Sequence, residues 1–171
     1  MQLVQQQKNR QNSFHHPRPA AVLQSTEEQM ASLSEQSCAK CATKGGSPSA
    51  LSEETVAQHK ATLCTTWTIV NSPSNDEGQA LSRSFVCRNF TAALDYLNRA
   101  GVVAEAQGHH PDLHITAYRT VTVVVYTHST GGLCLNDFIL ASKLDQLEID
   151  FSPKFVKKNA GVKGQKSQKK E

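Results

Sequence analysis

The chain has 171 residues, 38% of them hydrophobic and 19% charged, which suits one ordinary domain with extensions and excludes a string of separate cores. Its formal charge of +3 is a local property: positions 154–171 carry seven lysines and one glutamate, +6 in all, against −3 for everything before them. There is no signal-peptide core and no apolar run long enough for a bilayer helix, and an odd five cysteines do not make a disulfide framework, so the reading is a soluble intracellular protein.

Positions 1–50 are rich in Gln, Ser, Ala and Lys without a sustained apolar period, and read as a disordered leader. The first 26 residues carry Lys8, Arg10 and Arg18 but no acid, a composition shared by organelle transit segments, so cytoplasm, mitochondrion and plastid all stay open. Cys38 and Cys41 lack a second close pair, which makes a weak metal motif. Gly45-Gly46-Ser47-Pro48 is linker chemistry, and Ser52 then caps a helix to about Thr62 with Glu53 and Glu54 in its first turn.

Strands are expected over 67–70 and 80–87, joined by a turn-rich stretch over 71–78 as a hairpin. Asn89 is placed as the N-cap of a helix over 90–106, with Phe90, Ala93, Leu94, Leu97, Gly101 and Ala104 on one face and Gly108 as its stop. Two further strands, 113–118 and 121–128, meet at a connection around Arg119 and Thr120. In the second, Val121, Val123 and Val125 share one face while Thr122, Val124, Tyr126 and His128 share the other, itself apolar enough to be covered by a second subunit. A last helix over 135–147 supplies Phe138, Ile139, Ala141, Leu144 and Leu147. This α-β-β-α-β-β-α order implies the α+β class, a four-stranded antiparallel sheet with helices packed on one face, formed by 51–153 and followed by a basic disordered tail over 154–171.

The seven histidines differ in setting. His15 and His16 stand in the polar leader with no strand behind them, and His59 is expected on an exposed helix face. His109-His110-Pro111 lies between a helix stop and a strand, a loop on a rigid support. Pro111 biases His110 toward extended dihedrals, and neighbouring side chains of an extended segment project to opposite sides, so the two rings should diverge.

Glu105, His109, His110, Pro111, Tyr118, His128 and Asp137, separated by three, none, none, six, nine and eight residues, resemble the signature of pterin-4a-carbinolamine dehydratases. The resemblance extends to Trp67, Arg83, Phe85, the Phe90 helix and Thr127-His128 before Gly131-Gly132-Leu133, and covers about positions 50–150. It implies a small α+β domain that assembles as a homodimer or homotetramer and needs no metal or organic cofactor. The implied reaction removes water from a 4a-hydroxytetrahydropterin to give a quinonoid dihydropterin in tetrahydrobiopterin recycling. One group must give a proton to the leaving hydroxyl and another take one from N5, and imidazole, with an ordinary pKa of about 6.5, serves either role at neutral pH.

Carried over by position, His109, His110 and His128 are the catalytic candidates, with acid-base work on His109 and His128 and a holding role for His110. Glu105, His110 and Pro111 are the substrate-binding candidates, Glu105 either orienting a histidine or standing solvated, and Asp137 is expected to start a helix. The chain departs from the resemblance at Cys134, where relatives usually have Thr or Ser, and at Gly108, where several carry an acid.

Three histidines and a carboxylate are also ligand types for zinc, but the pair diverges and no helix- or strand-spaced partner completes a set except His114, which the signature does not include, and this argues against a metal. The lysine tail is short and, beyond Phe155, has no interleaved aromatics, which argues against nucleic acid. The competing reading from the same resemblance is a non-catalytic binding protein, either a transcription-factor dimerisation cofactor or a Rubisco assembly helper; all three histidines being present favours the enzyme.

Overall fold

A computed structural model describes residues 33–39 and 48–159; His15, His16, Cys41 and the lysines beyond position 159 lie outside them. Helix α1 is Glu53–Thr62, strands β1 and β2 are Trp67–Ser72 and Asn75–Val86, helix α2 is Phe90–Gln107, strands β3 and β4 are Asp112–Thr116 and Thr120–Val125, helix α3 is Leu135–Asp145, and helix α4 is Pro153–Lys158. The four strands form one antiparallel sheet in the order β1-β2-β4-β3.

One sheet face is apolar and meets the helices: Leu81, Phe85, Val121, Val123 and Val125 are buried together with Tyr96 and Ala100 of α2 and Phe138, Leu140 and Leu144 of α3. Full burial of such side chains contributes roughly 1.5–3 kcal/mol each. The opposite face carries Ser82, Ser84, Thr122 and His114, with a small buried cluster of Ala80, Val124 and Tyr126 at one end. Thus β4 is covered on both sides over part of its length.

Caps set the helix starts. Ser52 Oγ accepts from Thr55 N at α1 (3.3 Å), and Asn89 Oδ1 accepts from Ala92 N at α2 (2.8 Å). Gly108 closes α2 at φ 59°, ψ 29°, the left-handed conformation in which glycine avoids the strain of a Cβ.

Several expectations shift. The first hairpin is longer than its turn-rich composition suggests, because Ser72 pairs directly with Asn75 and the strands run almost to a two-residue turn at Pro73-Ser74. The second turn comes earlier than expected, at Ala117 and Tyr118, both at positive φ (44° and 56°). No Gly or Asn announces this turn in the sequence, so Tyr118 reads as strand. On α2 the buried face is Ala93, Tyr96, Ala100 and Ala104, while Phe90 and Leu94 are exposed. The small alanines let the helix lie close to the sheet and turn Tyr96 inward against Phe85, edge to face at 4.9 Å.

Two segments assigned to the leader and tail carry structure. Leu33 is buried in the core, Lys143 Nζ donates to Ser34 O (2.6 Å), Cys38 N donates to Gln107 Oε1 (3.1 Å), and Asn136 exchanges two hydrogen bonds with Ala39. Helix α4 begins at the Ser152 cap, with Phe155 stacked on Phe151 at 5.4 Å. In both cases a single apolar anchor within a polar stretch, Leu33 or Phe155, escapes a reading based on composition.

His59 differs too. Its ring is half-buried, 5.3 Å from that of Phe138, and burial holds its pKa below the ordinary 6.5. A base with a depressed folded-state pKa contributes stability that is present above the unfolded value and lost as pH falls through the folded one. His59→Gln should therefore show a smaller drop in Tm than the parent between about pH 7.5 and 5.5, as thermal melts would measure.

Inside the fold, Arg83 and Asp145 form an ion pair of 2.7 Å, with side chains 5% and 12% exposed. Asp145 Oδ1 also accepts from Trp67 Nε1 and Oδ2 from Cys64 N, each at 2.9 Å, while Arg83 Nε donates to Thr66 Oγ1 (3.0 Å). Burial pushes the Asp145 carboxyl above its usual range, with Arg83, the Cys64 amide and the Trp67 indole pulling it back. This cluster fixes the end of α3 to β1 and β2, and so sets where the start of α3 lies.

Candidate active site

The end of α2, the loop before β3 and the chain leaving β4 meet around a cavity of about 320 Å³ lined by Gly108, His109, His110, Tyr126, Thr127 and His128. The three histidines selected in the sequence thus face one space, although His109 and His128 are 19 positions apart in the chain. His15 and His16 lie outside the described residues, His59 packs on Phe138, and His114 sits exposed on β3.

The two neighbouring histidines do diverge. His109 turns inward and is buried, with its Nε2 2.8 Å from Oδ1 of the fully buried Asp137. His110 turns outward, 61% exposed, with Nε2 3.2 Å from Glu105 Oε1. Glu105 is 79% exposed, so this contact is screened by water and contributes little stability. Pro111 immediately precedes β3 and is not among the cavity residues.

Asp137 is the residue whose role the sequence understates. Its Oδ2 accepts from Cys134 N (2.8 Å), which caps α3 as expected of a helix-start residue. Its Oδ1 accepts from His109 Nε2 and from Thr127 Oγ1 (3.0 Å). Because the Thr127 hydroxyl gives its one proton to Asp137, the Cys134 thiol, 3.0 Å away, is the donor toward Thr127. One buried carboxylate thereby joins the helix start, the strand end and the histidine loop. A carboxylate facing Nε2 assigns the proton there and leaves Nδ1 of neutral His109 as the basic nitrogen.

His128 is exposed, its ring 4.6 Å from that of Tyr126. Tyr126 lines the cavity, and its OH donates to Asp112 Oδ2 (3.1 Å). Cysteine at position 134 is tolerated without exposing a nucleophile: burial, and then the nearby Asp137 charge, push its thiol up to about 11. Burial pushes Cys87 to about 11 as well. Both should resist alkylation by iodoacetamide at about pH 8 in the folded protein and react after unfolding, as peptide mass spectrometry would show.

Among the described residues no three His, Cys, Asp or Glu side chains converge as metal ligands would, and none of the helices is long and apolar enough to cross a membrane.

Residues 49–147 match the family model described as pterin 4 alpha carbinolamine dehydratase. Pterin-4-alpha-carbinolamine dehydratase 2, mitochondrial, of Arabidopsis thaliana is 36% identical over 121 residues, 71% of this chain and 62% of its own length. A putative pterin-4-alpha-carbinolamine dehydratase of Syntrophotalea carbinolica is 42% identical over 69% of this chain and 98% of its own. A third, from Rubrobacter xylanophilus, is 40% identical over 69% of this chain and the whole of its own. With a family model matched over more than half of its length and relatives covered almost end to end, the chain belongs to the pterin-4a-carbinolamine dehydratase family of hydro-lyases.

Proposed function

We propose that the chain dehydrates a 4a-hydroxytetrahydropterin to the quinonoid dihydropterin by histidine acid-base catalysis, in the recycling of tetrahydrobiopterin. The observation that carries this reading is the buried His109–Asp137 pair opening onto the same cavity as His128 and His110. In the reaction the C4a–O bond breaks, the hydroxyl leaves as water with one added proton, N5 loses its proton, and a C4a=N5 double bond forms. His109, with Nε2 held by Asp137, has Nδ1 as its proton acceptor, in a ring whose orientation and tautomer the carboxylate fixes. His128 supplies the proton to the leaving hydroxyl. His110, on the cavity rim with Glu105, holds the pterin.

Both substrate and products are small, and the residues that line the cavity need no metal or organic cofactor for these two proton transfers. Assembly as a homodimer or homotetramer is part of the same proposal; Phe90, Leu94 and Val102, all exposed at four- and eight-residue spacing along α2, are the apolar stripe such an assembly would cover.

Asp137→Asn tests the reading. Asparagine can still accept from Cys134 N, so the helix start survives, but the charge behind His109 is gone. The expected result is a kcat lower by about 10- to 100-fold with little change in KM or Tm. An unchanged kcat would remove Asp137, and with it the assigned role of His109, from the mechanism.

A further inference from the structure

At the other end of the sheet from the histidines lies a second cavity, of about 470 Å³, with Arg119, Lys154 and Lys158 around it and Val86, Phe155 and Asn159 completing the wall. The separation follows from β4 itself: Thr120 beside Arg119 and Val125 before the histidine turn are its two ends, about 16 Å apart in extended chain. Among the described residues no carboxylate lines this cavity and none of the three cations is in an ion pair. The nearby Arg88 is neutralised by Asp150.

The fold spends effort on placing Arg119. It follows two successive residues in the left-handed region, Ala117 and Tyr118, a strained choice for side chains larger than glycine. Its carbonyl accepts from Cys87 N (2.9 Å), its Nη1 donates to Arg88 O (3.1 Å), and its guanidinium lies 5.3 Å from the Tyr118 ring centre. Tyr118 is 61% exposed at this end of the molecule. Its place among the seven spaced signature residues is thus not accounted for by the histidine cavity, but it does hold the arginine. Lys154 and Lys158 stand four residues apart on α4, on the same helix face, and reach the cavity from the opposite side.

We propose that this cavity is a second binding site, for the polyphosphate group of a nucleotide or of inorganic polyphosphate. Three cations without a compensating acid match a ligand of several negative charges, and the volume exceeds what a lone oxyanion fills. Arg119 offers a planar fork to two phosphate oxygens, while the lysines act as point charges. The apolar wall of Val86 and Phe155 excludes water from one side and strengthens these contacts.

Isothermal titration of the full chain with sodium tripolyphosphate, and separately with ATP, tests this. Tripolyphosphate is expected to bind, more weakly as NaCl is raised. Arg119→Ala, and independently the double change Lys154→Ala with Lys158→Ala at solvent-facing positions, should each weaken binding by about tenfold or more. Lys163→Ala with Lys166→Ala removes equal charge from the chain beyond α4 and should leave affinity unchanged. Pterin dehydration should be the same in all of these variants, which separates this site from the histidine cavity. Tighter binding of ATP assigns a nucleotide as the ligand, and equal binding assigns the bare polyphosphate. No heat with tripolyphosphate at millimolar concentration, loss of binding in the Lys163/Lys166 variant equal to that in the cavity variants, or tight binding of a short single-stranded RNA that tripolyphosphate does not displace would each overturn the proposal.

Discussion

Replacing His109 by alanine is expected to lower kcat for pterin dehydration by about 10²- to 10⁴-fold, the range of a positioned acid or base. The change removes the ring whose Nε2 meets buried Asp137, and leaves that carboxylate with Thr127 and the Cys134 amide as partners, so α3 keeps its cap. His128→Ala should lower kcat by a similar factor, because proton delivery and proton removal act in one step. His110→Ala is expected to act mainly on KM, since an exposed ring paired with exposed Glu105 contributes binding more than proton transfer. Steady-state kinetics on the three variants, each checked by circular dichroism, separates these roles. Equal losses of kcat in all three would contradict the division of labour.

Breaking the Arg83–Asp145 pair is expected to have the largest effect on stability. Asp145→Leu leaves Arg83 buried without its carboxylate, and Arg83→Met leaves Asp145 buried with the Trp67 indole and Cys64 amide as partners. Each single change should cost about 3–5 kcal/mol, the usual consequence of an uncompensated buried charge. For a domain of about 100 residues that lowers Tm by well over ten degrees, at about 4–8 °C per kcal/mol. The double change Arg83→Met with Asp145→Leu should recover much of the loss, because the charge that was expensive to bury is gone. Chemical denaturation of the four proteins gives the coupling; additive losses would show that the two groups do not act as a unit.

Much of this was legible in the chain because the relevant signals are local. Asn89 and Gly108 mark α2 through capping chemistry that needs no tertiary context, and alternating valines mark β4. The three histidines were selected from seven by the resemblance of the surrounding residues to the dehydratase signature. What was not legible depends on contacts between distant segments. Asp137 reads as a helix start because its partner at Cys134 is three residues away, whereas its second partner, His109, is 28 residues away and reaches it only when α2 and α3 pack. Tyr96 replaces Phe90 and Leu94 on the buried face of α2 because the sheet selects the side on which the small alanines lie. The turn at Ala117-Tyr118 is invisible to composition because the hairpin register, not the residue types, imposes its left-handed dihedrals. Segment 33–39 is ordered through hydrogen bonds to Gln107, Asn136 and Lys143, none of which a polar sequence window reveals.

The most direct measurement is the rate of 4a-hydroxytetrahydropterin dehydration with and without the purified full chain, followed by absorbance at neutral pH. The expected result is a rate above the buffer reaction that is proportional to protein concentration and is lost in the folded His109→Ala protein. A wild-type rate no greater than buffer, from folded protein, would contradict the catalytic reading of the histidine cavity.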